Sequence, residues 1–138
     1  MTFLTFPYQE REHSFFGTIT RPVLMLNLYS ARFARWFSVK HVLVDTGADI
    51  SVVPLRLGQL LIEDVQKGQP IQLGRVISSA AMFHGVVYRI QAQIGEITFE
   101  MPVAVAMTTT IPPIFDRREA LDRFTVRFVK GQELTIEM

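Results

Sequence analysis

Apolar and polar positions along this chain recur mostly at the two-residue period of extended strands. Leu24, Leu26 and Leu28 share one face of a stretch over residues 18–28, and residues 35–44 read as a second strand after a connection at 29–34. Ile97, Phe99, Met101, Val103 and Val105 alternate with polar or small residues, the pattern of a half-buried strand. Residues 71–78 and 86–94 are predicted extended on either side of a small-residue segment, a long hairpin. Residues 124–129 and 133–138 flank Lys130-Gly131-Gln132 as a terminal hairpin, with Leu134, Ile136 and Met138 on one face. Helical signals are brief. Pro54 suits a first helical position before Leu55, Leu57, Leu60 and Leu61, although Gly58 weakens that helix, and Asp116 is placed to cap another over 117–123. Residues 1–17 mix aromatics with the charged run Gln9-Glu10-Arg11-Glu12-His13 and read as an irregular arm, leaving 18–138 as the domain. The order predicts a mostly-β domain of barrel or sandwich type with one or two short helices.

One stretch departs from ordinary strand-and-turn patterning. Val42-Leu43-Val44 enters it, Ile50, Val52 and Val53 leave it, and Asp45-Thr46-Gly47-Ala48-Asp49 stands between. A surface turn would have alternating flanks; these are apolar on both sides, so the turn is expected to be interior. Burying an unpaired carboxylate costs several kcal/mol unless it is protonated, paired or hydrogen-bonded. Thr46 offers a hydroxyl beside Asp45, and Gly47 lets backbone amides approach the acid with no side chain in the way.

An apolar pair, then Asp-Thr-Gly-Ala-Asp, a small polar residue and further apolar ones closed by Pro54, resembles the signature of the retropepsins. These are the retroviral-type aspartic proteases and their cellular and bacterial relatives. The resemblance implies a small closed β-barrel, active as a homodimer, in which Asp45, Thr46 and Gly47 form half of the catalytic site. Peptide hydrolysis by this route uses two carboxylates sharing a proton, one as general base on water and one polarising the scissile carbonyl. The chain carries one Asp-Thr-Gly, so two copies must meet at Asp45. Ala48 and Asp49, with Met82, Phe83, His84 and Gly85 in a flap hairpin over about 76–88, are expected to contact an extended peptide or unfolded protein substrate. Ala48 cannot donate a hydrogen bond as a serine would, which implies an optimum less acidic than that of pepsin-like enzymes. Arg21-Pro22 resembles the start of the family's first strand, its arginine pairing across the dimer with Asp49. Ile114-Phe115-Asp116-Arg117 resembles the late apolar-apolar-Gly-Arg segment, placing Arg117 near Asp49 within one chain. Two departures stand out: Asp116 replaces the family glycine, and Arg118 replaces an acid or amide. The hairpin over 124–138 either pairs with a partner's chain end or closes its own barrel.

Composition narrows the rest. The 138 residues suffice for one core, and 49% are hydrophobic. A net charge of +1 points to neither nucleic acid nor an anionic membrane. Cysteine is absent, and His13, His41 and His84 are scattered, so no metal or cofactor is expected. The first residues lack a basic segment and a long apolar core, which predicts a soluble cytoplasmic protein.

Overall fold

The computed structural model of the chain describes residues 2–73 and 83–138. Among the described residues twelve strands run in order: β1 (Phe3–Pro7), β2 (Gln9–His13), β3 (Gly17–Arg21), β4 (Val23–Ser30), β5 (Arg35–Val44), β6 (Ser51–Val53), β7 (Gln69–Leu73), β8 (Phe83–Ile94), β9 (Ile97–Ala106), β10 (Ile114–Phe115), β11 (Thr125–Val129) and β12 (Glu133–Glu137). One helix, α1 (Leu55–Leu61), follows β6.

The main sheet runs β4-β5-β10-β6-β9-β8, and a further β4–β8 pairing closes those six strands into a barrel. The long β8 makes closure possible. Its first residues pair with β7, its Ala92 and Gln93 pair with Leu28 and Asn27 of β4, and β9 runs alongside throughout. Leu24, Leu28, Val42, Ile94, Met101 and Phe115, none more than 2% exposed, fill the interior. On β9 the alternation holds as far as Met101, after which Val103, Ala104, Val105 and Ala106 are all buried. There the strand separates two apolar clusters, one inside the barrel and one around Val52, Ile111 and Ile114. A strand covered on both faces loses its two-residue signature.

The N-terminal residues are not irregular. β1 pairs antiparallel with β12, which also pairs with β11, giving a three-stranded sheet β1-β12-β11. Leu4, Phe6, Leu134 and Ile136 turn inward from it onto the barrel core. β2 and β3 form a separate hairpin, and Pro22 divides β3 from β4 where a single strand was expected. The expected helix over 117–123 is instead a series of turns and a single 3-10 turn at Leu121–Arg123. Asp116 points inward and caps nothing, and Glu119 has φ 57°, which no right-handed helix can continue.

α1 forms despite Gly58 because that glycine lets the helix lie on β9. A Cβ there would overlap the Cγ1 of Val105, itself fully buried. Gly58→Ala gains helix propensity of about 1 kcal/mol but overpacks a site that cannot yield, at about 1–3 kcal/mol. We expect Gly58→Ala to lower the unfolding midpoint in urea and Gly58→Ala with Val105→Ala to recover part of the loss.

Candidate active site

Asp45 stands where β5 stops. Upstream of it the strand carries an extra residue: Leu24 pairs with Val42 but Leu26 pairs with Val39, and His41 takes φ 58°. A bulge of this kind bends a strand and re-aims the residues beyond it. The end of β5 is then held from two sides. Val44 N–H donates to the Pro22 carbonyl at 3.0 Å, and Leu43 N–H to that of Pro113 at 2.9 Å. β10 lies parallel to β5 and antiparallel to β6, so that Phe115 sits beside Val44 and Ile114 beside Val52. Asp45 N–H donates to the Phe115 carbonyl at 3.1 Å.

Asp45 is half-buried, and its Oδ1 accepts the Gly47 N–H at 2.9 Å. Ala48 N–H closes the turn on the Asp45 carbonyl at 3.3 Å. A Cβ on Gly47 would stand 3.4 Å from Asp45 Oδ1, an ordinary contact, so space alone does not demand glycine here. Ala48 is buried, whereas Thr46, Gly47 and Asp49 are exposed. The loop therefore emerges at the surface of the chain rather than lying wholly inside. The apolar residues on both sides are buried by the barrel, while the turn between them crosses its rim.

The other expected site residues are divided. Phe83, His84 and Gly85 lie on β8, opposite Leu73, Gln72 and Ile71 of β7. Met82 and most of the expected flap tip fall outside the described residues. A depression of about 400 Å³ lies on this hairpin, lined by Pro70, Ile71, Gln72, His84, Gly85 and Met107 among others. Arg21 is half-buried. Arg117 does not meet Asp49 within the chain: its Nε lies 3.3 Å from Asp122 Oδ2, and among the described residues Asp49 makes no ion pair with either arginine. The turn explains this, since Asp122 N–H donates to the Arg117 carbonyl at 2.8 Å and brings the two side chains together. Among the described residues no cluster of three or more His, Asp or Glu could hold a metal ion, and no helix is long and apolar enough to cross a membrane.

One polar pair behind the loop was not expected from the motif. Asp116, 1% exposed, accepts the Ser51 hydroxyl on Oδ1 at 2.6 Å, and its own N–H donates to Ser51 Oγ at 3.0 Å. Its Oδ2 has no partner among the described residues. Burial pushes the carboxyl up to about 6, and the Ser51 hydroxyl and nearby amides offset this only in part. Asp116 is thus a buried acid with no basic partner among the described residues. The signal in the sequence is a serine and an acid, each abutting an apolar run on strands that meet.

The closed six-stranded ring is a fold that a known retropepsin-like aspartic protease shares. The chain is similar over 98% of its length to the crystal structure of a retropepsin-like aspartic protease from Rickettsia conorii, of which it covers 98%, with a TM-score of 0.60 and 15% sequence identity. No family model matches the chain, and no curated protein matches it.

Asp116 sets a pH dependence of stability. An acid with a higher pKa folded than unfolded binds more protons folded, so stability falls as pH rises from about 4 to about 6 and is level above. The shift corresponds to roughly 3 kcal/mol at most. We expect Asp116→Asn to gain stability relative to the wild type across that window, read from urea midpoints at successive pH values; parallel profiles would contradict it.

Proposed function

We propose that the protein is an aspartic endopeptidase, active as a homodimer, that hydrolyses peptide bonds of extended polypeptides. The observation that carries the reading is the Asp45-Thr46-Gly47 loop, with its acid half-buried at the end of β5 and hydrogen-bonded by the Gly47 amide. The shared fold supports it. One such loop per chain supplies one carboxylate where the chemistry needs two, so a second copy related by a two-fold axis completes the site. One Asp45 would then take a proton from water as it attacks the scissile carbonyl. The other, protonated, would hydrogen-bond the carbonyl oxygen.

In this arrangement Thr46 hydrogen-bonds across the axis and steadies the two loops. Its exposure in the single chain leaves it free to do so. Arg21 reaches the partner's Asp49. The substrate lies as an added strand between the two loops and the β7–β8 hairpins, against Asp49 and the flap residues Met82, Phe83, His84 and Gly85, while Ala48, buried in the chain, backs the loop instead of meeting substrate as expected. No cofactor takes part, and the cytoplasm is the proposed setting.

A second reading, a catalytically idle peptide-binding or dimerisation module, draws on Asp116, whose buried carboxyl stands where the family has a glycine.

Incubation with an unfolded protein mixture across pH, with and without a statine-type inhibitor, tests the proposal. We expect inhibitor-sensitive cleavage, abolished by Asp45→Asn, and activity that rises with dimer fraction in sedimentation velocity. A folded dimer without cleavage at any pH supports the idle module; a strictly monomeric protein overturns the two-carboxylate site. In the active enzyme we expect Ala48→Ser to move the acidic limb of kcat/KM to lower pH, because a hydroxyl donor favours the charged carboxylate.

A further inference from the structure

The hairpin joining β4 to β5 carries the run Arg32-Phe33-Ala34-Arg35-Trp36-Phe37. Phe33 is 48% exposed and Trp36 37%. Trp36 stands opposite Tyr29 on one face of the hairpin, the rings edge-on at 5.4 Å. Phe33 meets Phe37, the cross-strand partner of Leu28, on the other. The end of α1 packs beside this tip, the Ser30 hydroxyl donating to the Leu60 carbonyl and Arg32 Nη1 to that of Gln59. Leu60 itself is 41% exposed.

The tip itself carries Arg32 and Arg35 and no acid, whereas Arg21 and Lys40 of the same acid-free stretch between Glu12 and Asp45 lie toward the other end of β4 and β5. α1 adds Arg56, also exposed, and Glu63 and Asp64 follow its end. The whole-chain charge of +1 conceals this segregation.

We propose that the β4–β5 tip is a peripheral membrane-binding element that seats Phe33, Trp36 and Leu60 in the interface of an anionic phospholipid bilayer, with Arg32 and Arg35 at the headgroups. The exposed side chains of Phe33 and Trp36 on the tip and of Leu60 on the adjoining α1 end would be covered together by one apolar medium. Trp and Phe beside Arg suit the boundary between headgroups and acyl chains. Anionic lipid supplies the complementary charge. Single-stranded nucleic acid fits less well. Base stacking needs open ring faces, and the Arg32 and Arg35 guanidinium groups already lie over Phe33 and Phe37, 4.9 and 5.0 Å from the ring centres. The tip is also remote from Asp45. The two sit at opposite ends of the ten-residue β5, up to about 30 Å apart at some 3.4 Å per residue. A bilayer at the tip leaves the loop end of the barrel in water, and the proposal does not depend on protease activity.

Trp36 is the only tryptophan, so its fluorescence reports on the tip directly. The experiment titrates the full chain with vesicles of phosphatidylcholine alone and with a phosphatidylserine admixture, and checks binding by cosedimentation. We expect a blue shift and sedimentation with the anionic vesicles only, reversed at 1 M salt, where screening shortens to about 3 Å. Arg35→Glu, with Trp36 kept as reporter, should weaken binding at least about fivefold, and Phe33→Ser should reduce the blue shift, far-UV dichroism confirming that both variants fold. Failure of the wild-type protein to bind anionic vesicles at low salt overturns the proposal. So does vesicle binding untouched by both substitutions, or a Trp36 response to a single-stranded oligonucleotide without one to vesicles.

Discussion

Two residues of β10, Ile114 and Phe115, hold the barrel shut. They are wedged parallel to β5 and antiparallel to β6, and without them those strands have no common neighbour. Both side chains are buried, so the wedge is fixed by apolar packing as well as by main-chain hydrogen bonds. The Phe115 carbonyl takes the Asp45 amide, which places the candidate catalytic acid relative to the ring. Closure and acid placement are thus one event. Pro112 and Pro113, with backbone torsions already restricted, lead the chain into the wedge.

That arrangement explains why Asp116 is where it is. The residue after Phe115 must enter the space behind the loop, and the side chain it brings is an acid. Ser51, at the start of β6, is within reach because β6 and β10 are paired. Among the described residues the pair satisfies one carboxylate oxygen and leaves the other without a partner. A glycine there would carry no such cost. The acid instead couples the proton balance of the interior to the element that positions Asp45.

Much of the architecture is legible in local pattern. The extent of β5, the short helix after Pro54 and the terminal hairpin follow from apolar period, proline and glycine chemistry, and the Asp45-Thr46-Gly47 loop stands out as a motif. The features that local pattern misses are those set by tertiary contacts. β1 owes its strand conformation to β12, a partner more than a hundred residues away, and the charged run of β2 hides its period. Asp116 resembles a helix cap because nothing local reveals Ser51. Asp49 and Arg117 resemble partners by motif, but the turn that gives Arg117 to Asp122 is set by backbone hydrogen bonds that the motif does not encode.

The terminal sheet β1-β12-β11 bears on how copies of the chain could come together. Its central strand, β12, is flanked on both sides by strands of its own chain, and the Met138 amide donates to the Thr2 carbonyl at 2.8 Å. β12 therefore has no free edge, while β1 and β11 are the outer strands of this sheet. A pair of copies formed through surfaces other than β12 would leave this strand's pairing intact on dilution, and any property that required the pair would vary with protein concentration.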